Sequence, residues 1–250
     1  MHRAHMMIRL LPTTFLLASL AASTVMASES EQPMPIVFPL EELSLAKFSG
    51  GLTLRVKCGS QNELMIETSN EKAFSFKDKG DEIVVKRKPI RKLLSLGKDD
   101  ANVRATLTVS GELPDLNLGT GVNASVAPCD APQSIFKVNI GTGSNMVLAR
   151  GAFDTLEIDA NTGSSFEVDA RTTTNQLYLD LDTGSTFFGG PQLEARSARV
   201  QVSTGATANI CGAETVTGKV STGGDVQVKK TASVEVDKAV TGGSIRRSSC

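Results

Sequence analysis

The chain has 250 residues, a formal net charge of −1, 4% aromatic residues, no Trp and one Tyr. A near-neutral chain with so few aromatic side chains lacks the basic surface of a nucleic-acid-binding protein and is poorly supplied with groups that stack on bases or sugars. Its 22 glycines occur among frequent Val, Ile and Leu, which indicates a folded protein with many tight turns rather than a disordered one.

The N-terminus has the features of a secretory signal peptide. Residues 1–27 begin with cationic side chains, continue with an apolar run from Leu10 to Ala22 and end on small residues at Ala27, the predicted cleavage site. The alternative, an uncleaved membrane anchor, is disfavoured because the run contains Pro12 and is shorter than the ~20 residues that span a bilayer. Residues 28–35 are polar and predict a flexible leader. No later segment is apolar enough to cross a membrane.

Residues 36–115 predict an N-terminal β-rich part. Short apolar segments alternate with turn sequences rich in Gly, Asn, Asp and Ser. Between Leu52 and Cys58, apolar residues alternate with Thr53, Arg55 and Lys57, which predicts a strand with one buried and one exposed face. The predicted strands are Ile36 to Leu40, Leu43 to Phe48, Leu52 to Cys58, Leu64 to Thr68, Ala73 to Lys77 and Ile83 to Lys86.

A basic run extends from Val85 to Lys98. Its six cations could bind an anionic partner such as lipopolysaccharide, membrane phosphate or nucleic acid. We favour the alternative, a solvated strand end followed by a long loop. No aromatic side chains are interleaved with the cations, which further disfavours nucleic acid as the partner.

From Leu116 onward, a short motif ending in Thr-Gly recurs seven times, at intervals of 18 to 22 residues. A period near twenty is too short for two helices and fits two or three strands, as in one coil of a β-solenoid. The threonines of the motif are Thr120, Thr142, Thr162, Thr183, Thr204, Thr222 and Thr241.

Apolar residues recur at fixed positions around each threonine. Counted from the threonine as zero, positions −4, −2, +4 and +6 are apolar, as in Val138, Ile140, Met146 and Leu148 of the second repeat. These even-numbered positions are predicted to face the core. The same alternation predicts that the threonines point inward, where their hydroxyls would form a stacked ladder that satisfies backbone groups at the bend.

Position −3 is polar in every repeat and predicts an exposed column of side chains. Stacked coils place equivalent residues about 4.8 Å apart, so the column is regular. A ligand could lie along it, which makes these residues the candidate binding site: Asn117, Asn139, Asp159, Asp180 and Gln201, continued by Lys219 and Lys238.

The repeat predicts an all-β fold, a right-handed parallel β-helix-like solenoid of about seven coils of about twenty residues each. Residues 36–115 are predicted to continue or cap the same stack. Residues 116–250 are predicted to form the Thr-Gly coils and an irregular C-terminal cap, since the terminal units of a solenoid must close an open core.

Four cysteines remain after signal cleavage: Cys58, Cys129, Cys211 and Cys250. An even number in an exported chain predicts disulfides rather than metal ligation, and three pairings are possible. We favour Cys58 with Cys129 and Cys211 with Cys250, which would fasten each end of the stack. The second pair lies two coils apart, about 10 Å, so the C-terminal tail would have to fold back. Free buried thiols are the alternative.

One repeat contains Asp182-Thr-Gly-Ser185, the signature of aspartic proteases, in which two such turns share a proton. The chain has no second Asp-Thr-Gly, so only a homodimer could complete such a site. We interpret Asp182 as a variant of the structural turn. Both histidines, His2 and His5, lie in the signal peptide, which excludes histidine-dependent triads and His-ligated metal sites from the mature chain.

Three carboxylates cluster in the middle of the repeats. Asp159 and Asp180 share position −3 on adjacent coils, with Asp182 nearby. Such a group could hold Ca²⁺ or perform glycosidic acid/base chemistry. A solvated acidic face is the alternative that we favour, and we predict no metal site and no cofactor.

The segments Phe38 to Val56 and Asp81 to Arg87, with the later Gly-Thr-Gly-Ser and Asn-Thr-Gly-Ser repeats, resemble the putative auto-transporter adhesin head domain, or GIN domain, of exported bacterial proteins. The resemblance covers about Phe38 to Ser244. It implies a β-helix-like solenoid in the bacterial periplasm or at the cell surface, without established catalysis. Members of this family often have Ser-Gly-Ser-Gly where this chain has Thr-Gly, and the family defines no active-site residues.

We therefore expect an exported, non-enzymatic, adhesin-like binding module whose partner is an envelope protein or a glycan, with no nucleic-acid partner. A structural or assembly-assisting periplasmic protein is the first alternative. A β-helical carbohydrate-active enzyme is the second, and it would depend on Asp159, Asp180 and Asp182.

Overall fold

The computed structural model describes residues 35–88, 102–238 and 242–250. The predicted signal peptide, nearly all of the leader, most of the basic run and Thr241 therefore lie outside the described residues. The described chain consists of β-strands and one 3₁₀ turn, Glu71–Ala73. The strands are β1 Ile36–Pro39, β2 Leu45–Ser49, β3 Thr53–Cys58, β4 Glu63–Glu67, β5 Phe74–Asp78, β6 Glu82–Arg87, β7 Arg104–Val109, β8 Asp115–Leu118, β9 Asn123–Ala127, β10 Gln133–Ile140, β11 Asn145–Leu148, β12 Gly151–Ala160, β13 Ser165–Val168, β14 Thr172–Leu181, β15 Thr186–Phe188, β16 Leu193–Val202, β17 Thr207–Asn209, β18 Ala213–Val220, β19 Asp225–Lys229, β20 Ser233–Lys238 and β21 Ser244–Ser248.

The strands form two sheets, and within each sheet the strands of successive repeats run parallel. Each repeat contributes one strand to each sheet. Sheet A has the order β1-β4-β7-β3-β9-β11-β13-β15-β17-β19-β21, and sheet B has the order β20-β18-β16-β14-β12-β10-β8-β2-β6-β5. In each repeat, the strand before Thr-Gly belongs to sheet B and the strand after it belongs to sheet A. This arrangement confirms the predicted parallel β-solenoid.

Six coils, from β8/β9 to β18/β19, have both strands and their connecting turn within the described residues. The strands β20 and β21 continue the two sheets, but the turn between them is outside the described part. The sequence predicts about seven coils, and the structure describes about six complete ones. The predicted right-handedness stays a prediction.

The N-terminal strands belong to the same stack. Strand β2 pairs in parallel with β8, and β3 pairs in parallel with β9, so the solenoid continues into this region. Strands β1, β4 and β5 pair antiparallel at this end of the two sheets. The change in direction ends the parallel stacking there.

The even positions form the core, as the alternation predicts. The −4 residues of the first five coils are buried, with at most 3% of their surface exposed: Leu116, Val138, Ile158, Leu179 and Val200. Farther along the coil, Phe166 and Phe187 stack inside with ring centroids 5.5 Å apart. Residues at equivalent positions thus stack from coil to coil, and each buries the apolar surface of the equivalent residue in the adjacent coil.

The predicted inward orientation of the threonines is wrong. Thr120, Thr142, Thr162, Thr183, Thr204 and Thr222 are all exposed. Each is the second residue of a four-residue β-turn, where the chain bends and strand alternation fails; in the second repeat the Ser144 amide donates to the Gly141 carbonyl across the turn, at 3.1 Å. The glycine that follows has a positive φ, such as 63° at Gly143. A side chain at the tip of such a turn points away from the core.

The ladder at the bend is formed by main-chain atoms instead of hydroxyls. The amide of the glycine in one coil donates to the threonine carbonyl of the next coil, as from Gly121 to Thr142 at 3.1 Å and from Gly163 to Thr183 at 2.9 Å. Two positions after the threonine, Ser144, Ser164 and Ser185 are buried. Their hydroxyls bond main-chain groups at the corner.

Both predicted disulfides are confirmed. Cys58 and Cys129 bond with their Cα atoms 4.9 Å apart and link β3 to the segment after β9. Cys211 and Cys250 bond with their Cα atoms 5.8 Å apart. The disulfide brings the residues after β21 back to the segment after β17, and the Lys230 amide donates to the carbonyl of Ser248, the last residue of β21, at 2.9 Å. This return spans the two-coil separation that the sequence indicates.

Candidate ligand-binding groove on sheet B

The −3 residues form a continuous column on the outer face of sheet B. The parallel register places Asn117 beside Asn139, Asn139 beside Asp159, and so on to Gln201 and Lys219. At the last coil the register corrects the sequence interpretation, because Val236 pairs with Gly218 and Asp237 pairs with Lys219. The column is therefore Asn117, Asn139, Asp159, Asp180, Gln201, Lys219 and Asp237.

A second outward column lies two residues earlier, at position −5. Sequence reasoning missed it, although the same alternation carries the signal, since residues two apart on a strand share a face. Its members are paired in register from β8 to β20: Asp115, Lys137, Glu157, Tyr178, Arg199, Thr217 and Glu235.

The two columns border a groove of about 1100 Å³, which we call the sheet B groove. Residues of position −4, such as Val138 and Leu179, also line it, yet their side chains are buried in the core. The floor is therefore main chain, and the walls are side chains. The groove extends from Leu45 on β2 to Asp237 on β20, across every coil of the repeat region.

Amide side chains hold the two central carboxylates of the −3 column. Asp159 accepts hydrogen bonds from Asn139 and Asn161, each at 3.2 Å. Asp180 accepts from the Gln201 amide at 3.2 Å and 3.3 Å. These bonds fix the orientation of both carboxylates and leave further lone pairs open to the groove.

Both carboxylates have raised pKa values. Partial burial is the main cause for Asp159, and the charges of Asp180 and Asp182 raise its pKa further. For Asp180, partial burial and the charge of Asp182 raise the pKa, while the hydrogen bond from Gln201 lowers it. Among the described residues, the side chains bonded to these two carboxylates are the neutral amides of Asn139, Asn161 and Gln201. The centre of the groove is thus acidic and lacks charge neutralisation.

The −5 column contains paired and unpaired charges and one aromatic ring. Lys137 Nζ lies 2.9 Å from Glu157 Oε2, and this pair raises the pKa of the lysine. Tyr178 lines the groove and is 38% exposed, and its hydroxyl donates to Gln176 Oε1 at 2.7 Å, which holds the ring toward Gln176. No ion pair of Arg199 occurs within the described ranges, so its guanidinium faces the groove free.

The structure gives the acidic cluster no metal-binding geometry. Among the described residues, no three His, Cys, Asp or Glu side chains converge closely enough to hold a metal ion. Asp182 lies in its turn as the residue before Thr183, where its carbonyl accepts the Ser185 amide at 3.0 Å. Its carboxylate accepts a hydrogen bond from Ser203 at 3.3 Å, a contact between adjacent turns.

The described residues contain no helix that is long and apolar enough to cross a bilayer.

Comparison with known families gives one match. The sequence model of the family described as putative auto-transporter adhesin, head GIN domain, matches residues 45–232. These residues include every complete coil and nearly all of the sheet B groove. No curated protein matches the chain.

Several solved structures share the fold. A putative adhesin from Bacteroides fragilis NCTC 9343 is 9% identical, with a TM-score of 0.67 over 87% of this chain and 98% of that chain. A putative lipid binding protein from Parabacteroides distasonis ATCC 8503 is 15% identical, with a TM-score of 0.61 over 88% of this chain and 98% of that one. A putative adhesin from Parabacteroides merdae ATCC 43184 is 13% identical, with a TM-score of 0.61 over 88% and 97%. At these identities the likeness concerns the fold alone.

Proposed function

Because the chain belongs to the putative auto-transporter adhesin, head GIN domain family, we propose that it is an exported binding module that holds its ligand in the sheet B groove. The observation that carries the proposal is the groove itself. It is continuous over the coils, and exposed polar side chains border its volume of about 1100 Å³.

Export is supported by two disulfides, Cys58–Cys129 and Cys211–Cys250, since such bonds persist in oxidising compartments. The predicted signal peptide at residues 1–27 agrees with this. We propose the bacterial periplasm or the cell surface as the location, because the family is one of adhesin heads.

We further propose that the module acts without catalysis. The mature chain contains no histidine, and Asp182 has no second Asp-Thr-Gly with which to share a proton. If polysaccharide cleavage were nevertheless found, alanine at Asp159, Asp180 and Asp182 would have to abolish it for these residues to be catalytic.

A steric block of the groove tests the binding function. The mature protein would be immobilised and exposed to envelope extracts, matrix proteins and a glycan array, with binding measured by surface plasmon resonance. Gln201→Trp places a large side chain in the groove and is expected to abolish binding. Thr186→Trp places the same side chain on the outer face of sheet A and serves as the matched control, with binding unchanged.

The proposal is contradicted if both variants bind like the wild type. Loss of binding with Thr186→Trp alone would move the site to sheet A. No binding to any of the three ligand classes by the wild type would favour the structural or assembly-assisting alternative.

A further inference from the structure

We propose that the ligand of the sheet B groove is an extended, uncharged glycan that lies along the solenoid axis, with Tyr178 as its stacking platform. This inference rests on the proposed function and adds the chemical class of the ligand. Four features of the groove carry it: a floor without free backbone groups, a net acidic wall, hydroxyl-binding side chains and a single exposed ring.

The floor of the groove excludes the usual modes of peptide recognition. Peptides bind by adding a strand to a sheet edge, by placing an amphipathic helix in an apolar groove, or by docking a proline helix on clustered aromatic rings. The groove crosses the face of sheet B, where main-chain groups are already paired with strands on both sides. Its outward-facing apolar side chains are Leu45 at one end and Tyr178 in the middle.

The charges of the groove exclude polyanions. Six carboxylates line it against three cations, and two of the carboxylates, Asp159 and Asp180, form its centre without a compensating charge. A nucleic acid, or a glycan rich in uronate or sulfate, would meet repulsion along most of this path. Such a wall suits a cationic or an uncharged ligand, and the exposed ring of Tyr178 beside hydroxyl-binding side chains favours the uncharged one.

The side chains that border the groove can form hydrogen bonds with the hydroxyl groups of a sugar. A carboxylate accepts hydrogen bonds at about four lone-pair sites, so one side chain can bind two neighbouring hydroxyls of a sugar. Asp159 and Asp180 use some of these sites for Asn139, Asn161 and Gln201, and the rest face the groove. The amide partners hold the carboxylates in place before the ligand arrives, which lowers the entropy cost of binding.

Tyr178 supplies the apolar contact that a sugar ring requires. The face of a pyranose ring carries C–H groups, which pack on an aromatic ring while the hydroxyls point sideways. Tyr178 lies on the strand of Asp180, two residues before it, and its neighbours in register are Glu157 and Arg199. A sugar stacked on Tyr178 therefore has Asp180 across the groove and Arg199 on the next coil.

The period of the solenoid suits a chain of repeating units. Adjacent coils lie about 4.8 Å apart, so each coil presents one pair of wall side chains at a regular interval. In a glycan that runs along the axis, one sugar ring follows another, so groups of hydroxyls recur at an interval comparable to the spacing of the coils. Binding is then spread over several coils, with the acidic and aromatic centre contributing most.

The intrinsic fluorescence of Tyr178 can detect binding in the groove. Tyr178 is the only Tyr, and the chain has no Trp, so intrinsic tyrosine fluorescence reports on the groove alone. We would titrate the mature protein with uncharged hexasaccharides, namely cellohexaose, maltohexaose and mannohexaose. A saturable change in the fluorescence with at least one of them is expected.

Variants then locate the contact, with affinities measured by isothermal titration calorimetry. Tyr178→Ala is expected to weaken binding at least about tenfold, as for a central aromatic anchor, whereas Tyr178→Phe keeps the ring and stays within about threefold of the wild type. Asp180→Asn is expected to weaken binding to a similar degree as Tyr178→Ala. Phe188→Ala removes an exposed ring from sheet A and is the matched control, with affinity unchanged. Circular dichroism verifies that each variant folds.

The outcomes separate this inference from the function on which it rests. Affinity that is unchanged in folded Tyr178→Ala and Asp180→Asn overturns the assignment of the site. Failure to bind all three hexasaccharides, with binding of hexagalacturonate or of a peptide that Gln201→Trp abolishes, overturns the glycan class and leaves the groove as a binding site. Envelope binding that Gln201→Trp does not affect overturns both.

Discussion

Asp159 and Asp180 are direct partners in the parallel register of β12 and β14, so two carboxylates face the groove from adjacent coils. Like charges opposite each other on neighbouring strands destabilise a sheet. Partial burial is the main cause of the raised pKa of both groups, and nearby charge adds to it, from Asp180 and Asp182 at Asp159 and from Asp182 at Asp180, so the folded state favours their protonated forms. A pair that opposes folding and lies at the centre of a groove is typical of a functional site.

Replacement of one carboxylate is therefore expected to stabilise the protein at neutral pH. The folded pKa of Asp180 lies above its unfolded value near 3.9, so the unfavourable contribution is fully present above the folded pKa and disappears below the unfolded one. Asp180→Asn should raise the thermal midpoint at pH 7 and lose this advantage at about pH 3. Thermal unfolding followed by circular dichroism at both pH values measures it.

Glu214→Gln, at an exposed position outside the groove, is the control and should leave the midpoint unchanged. A midpoint for Asp180→Asn at or below that of the wild type at pH 7 would contradict the view that partial burial and the charge of Asp182 destabilise the ionised Asp180.

The buried serine two positions after the threonine is expected to matter more than the threonine itself. The buried Val122 amide donates to Ser144 Oγ at 2.9 Å, and the same hydroxyl donates to the Gly119 carbonyl. Ser144→Ala removes the acceptor of a buried amide and is expected to cost about 1–3 kcal/mol. Thr142→Ala changes an exposed side chain in the same turn and should stay within about 0.5 kcal/mol. Urea unfolding compares the two, and an equal loss in both would contradict the orientation described here.

This turn shows what sequence alternation can and cannot predict. Alternation is a property of extended chain, and it correctly places Ile140 and Met146 inside on either side of the turn. Thr142 lies between them at an even position, but it occupies the tip of a β-turn, where successive side chains no longer point to opposite faces. The repeat period therefore predicts the strands, whereas the orientation of the side chains in the turn is known only from the structure.

Strand alternation likewise predicts only part of the candidate site. Asn139, Asp159 and Asp180 follow from alternation within each repeat, because a strand alone determines which residues face outward. The groove depends on which residues of different coils are neighbours. The last coil shifts that register by one residue, so that Asp237 rather than Lys238 follows Lys219. Tyr178 is the only aromatic residue at its position in the repeats, so no recurring pattern identified it.

The C-terminal disulfide is expected to hold the last coils rather than the whole stack. Cys211 and Cys250 close a loop with a sequence separation of 39, and such a bond contributes about 2–4 kcal/mol. Because each coil contacts only its neighbours, the loss should be local. The double variant Cys211→Ser/Cys250→Ser should increase hydrogen exchange in β19 and β21 and leave β12 and β14 protected.

The matched variant is Cys58→Ser/Cys129→Ser, which should increase exchange in β3 and β9 at the other end of the repeats. A uniform increase over all strands in either variant would contradict the view that the coils are stabilised separately.

A glycine breaks the −4 pattern of the repeats for a steric reason. Gly218 pairs with Val200 and has a φ of 127°, and a Cβ built on it would overlap the Val200 carbonyl oxygen. Substitution toward the aliphatic residue of the other coils would therefore destabilise this coil, although it restores the repeat. Gly218→Ala is expected to cost about 3 kcal/mol or more, from backbone strain together with displacement of β16. Gly143→Ala isolates the strain, since its Cβ would meet open space at a φ of 63°, and should cost only about 1–2 kcal/mol. Equal losses in urea unfolding would mean that β16 moves aside without cost, and that the close approach of the two strands does not determine the residue at 218.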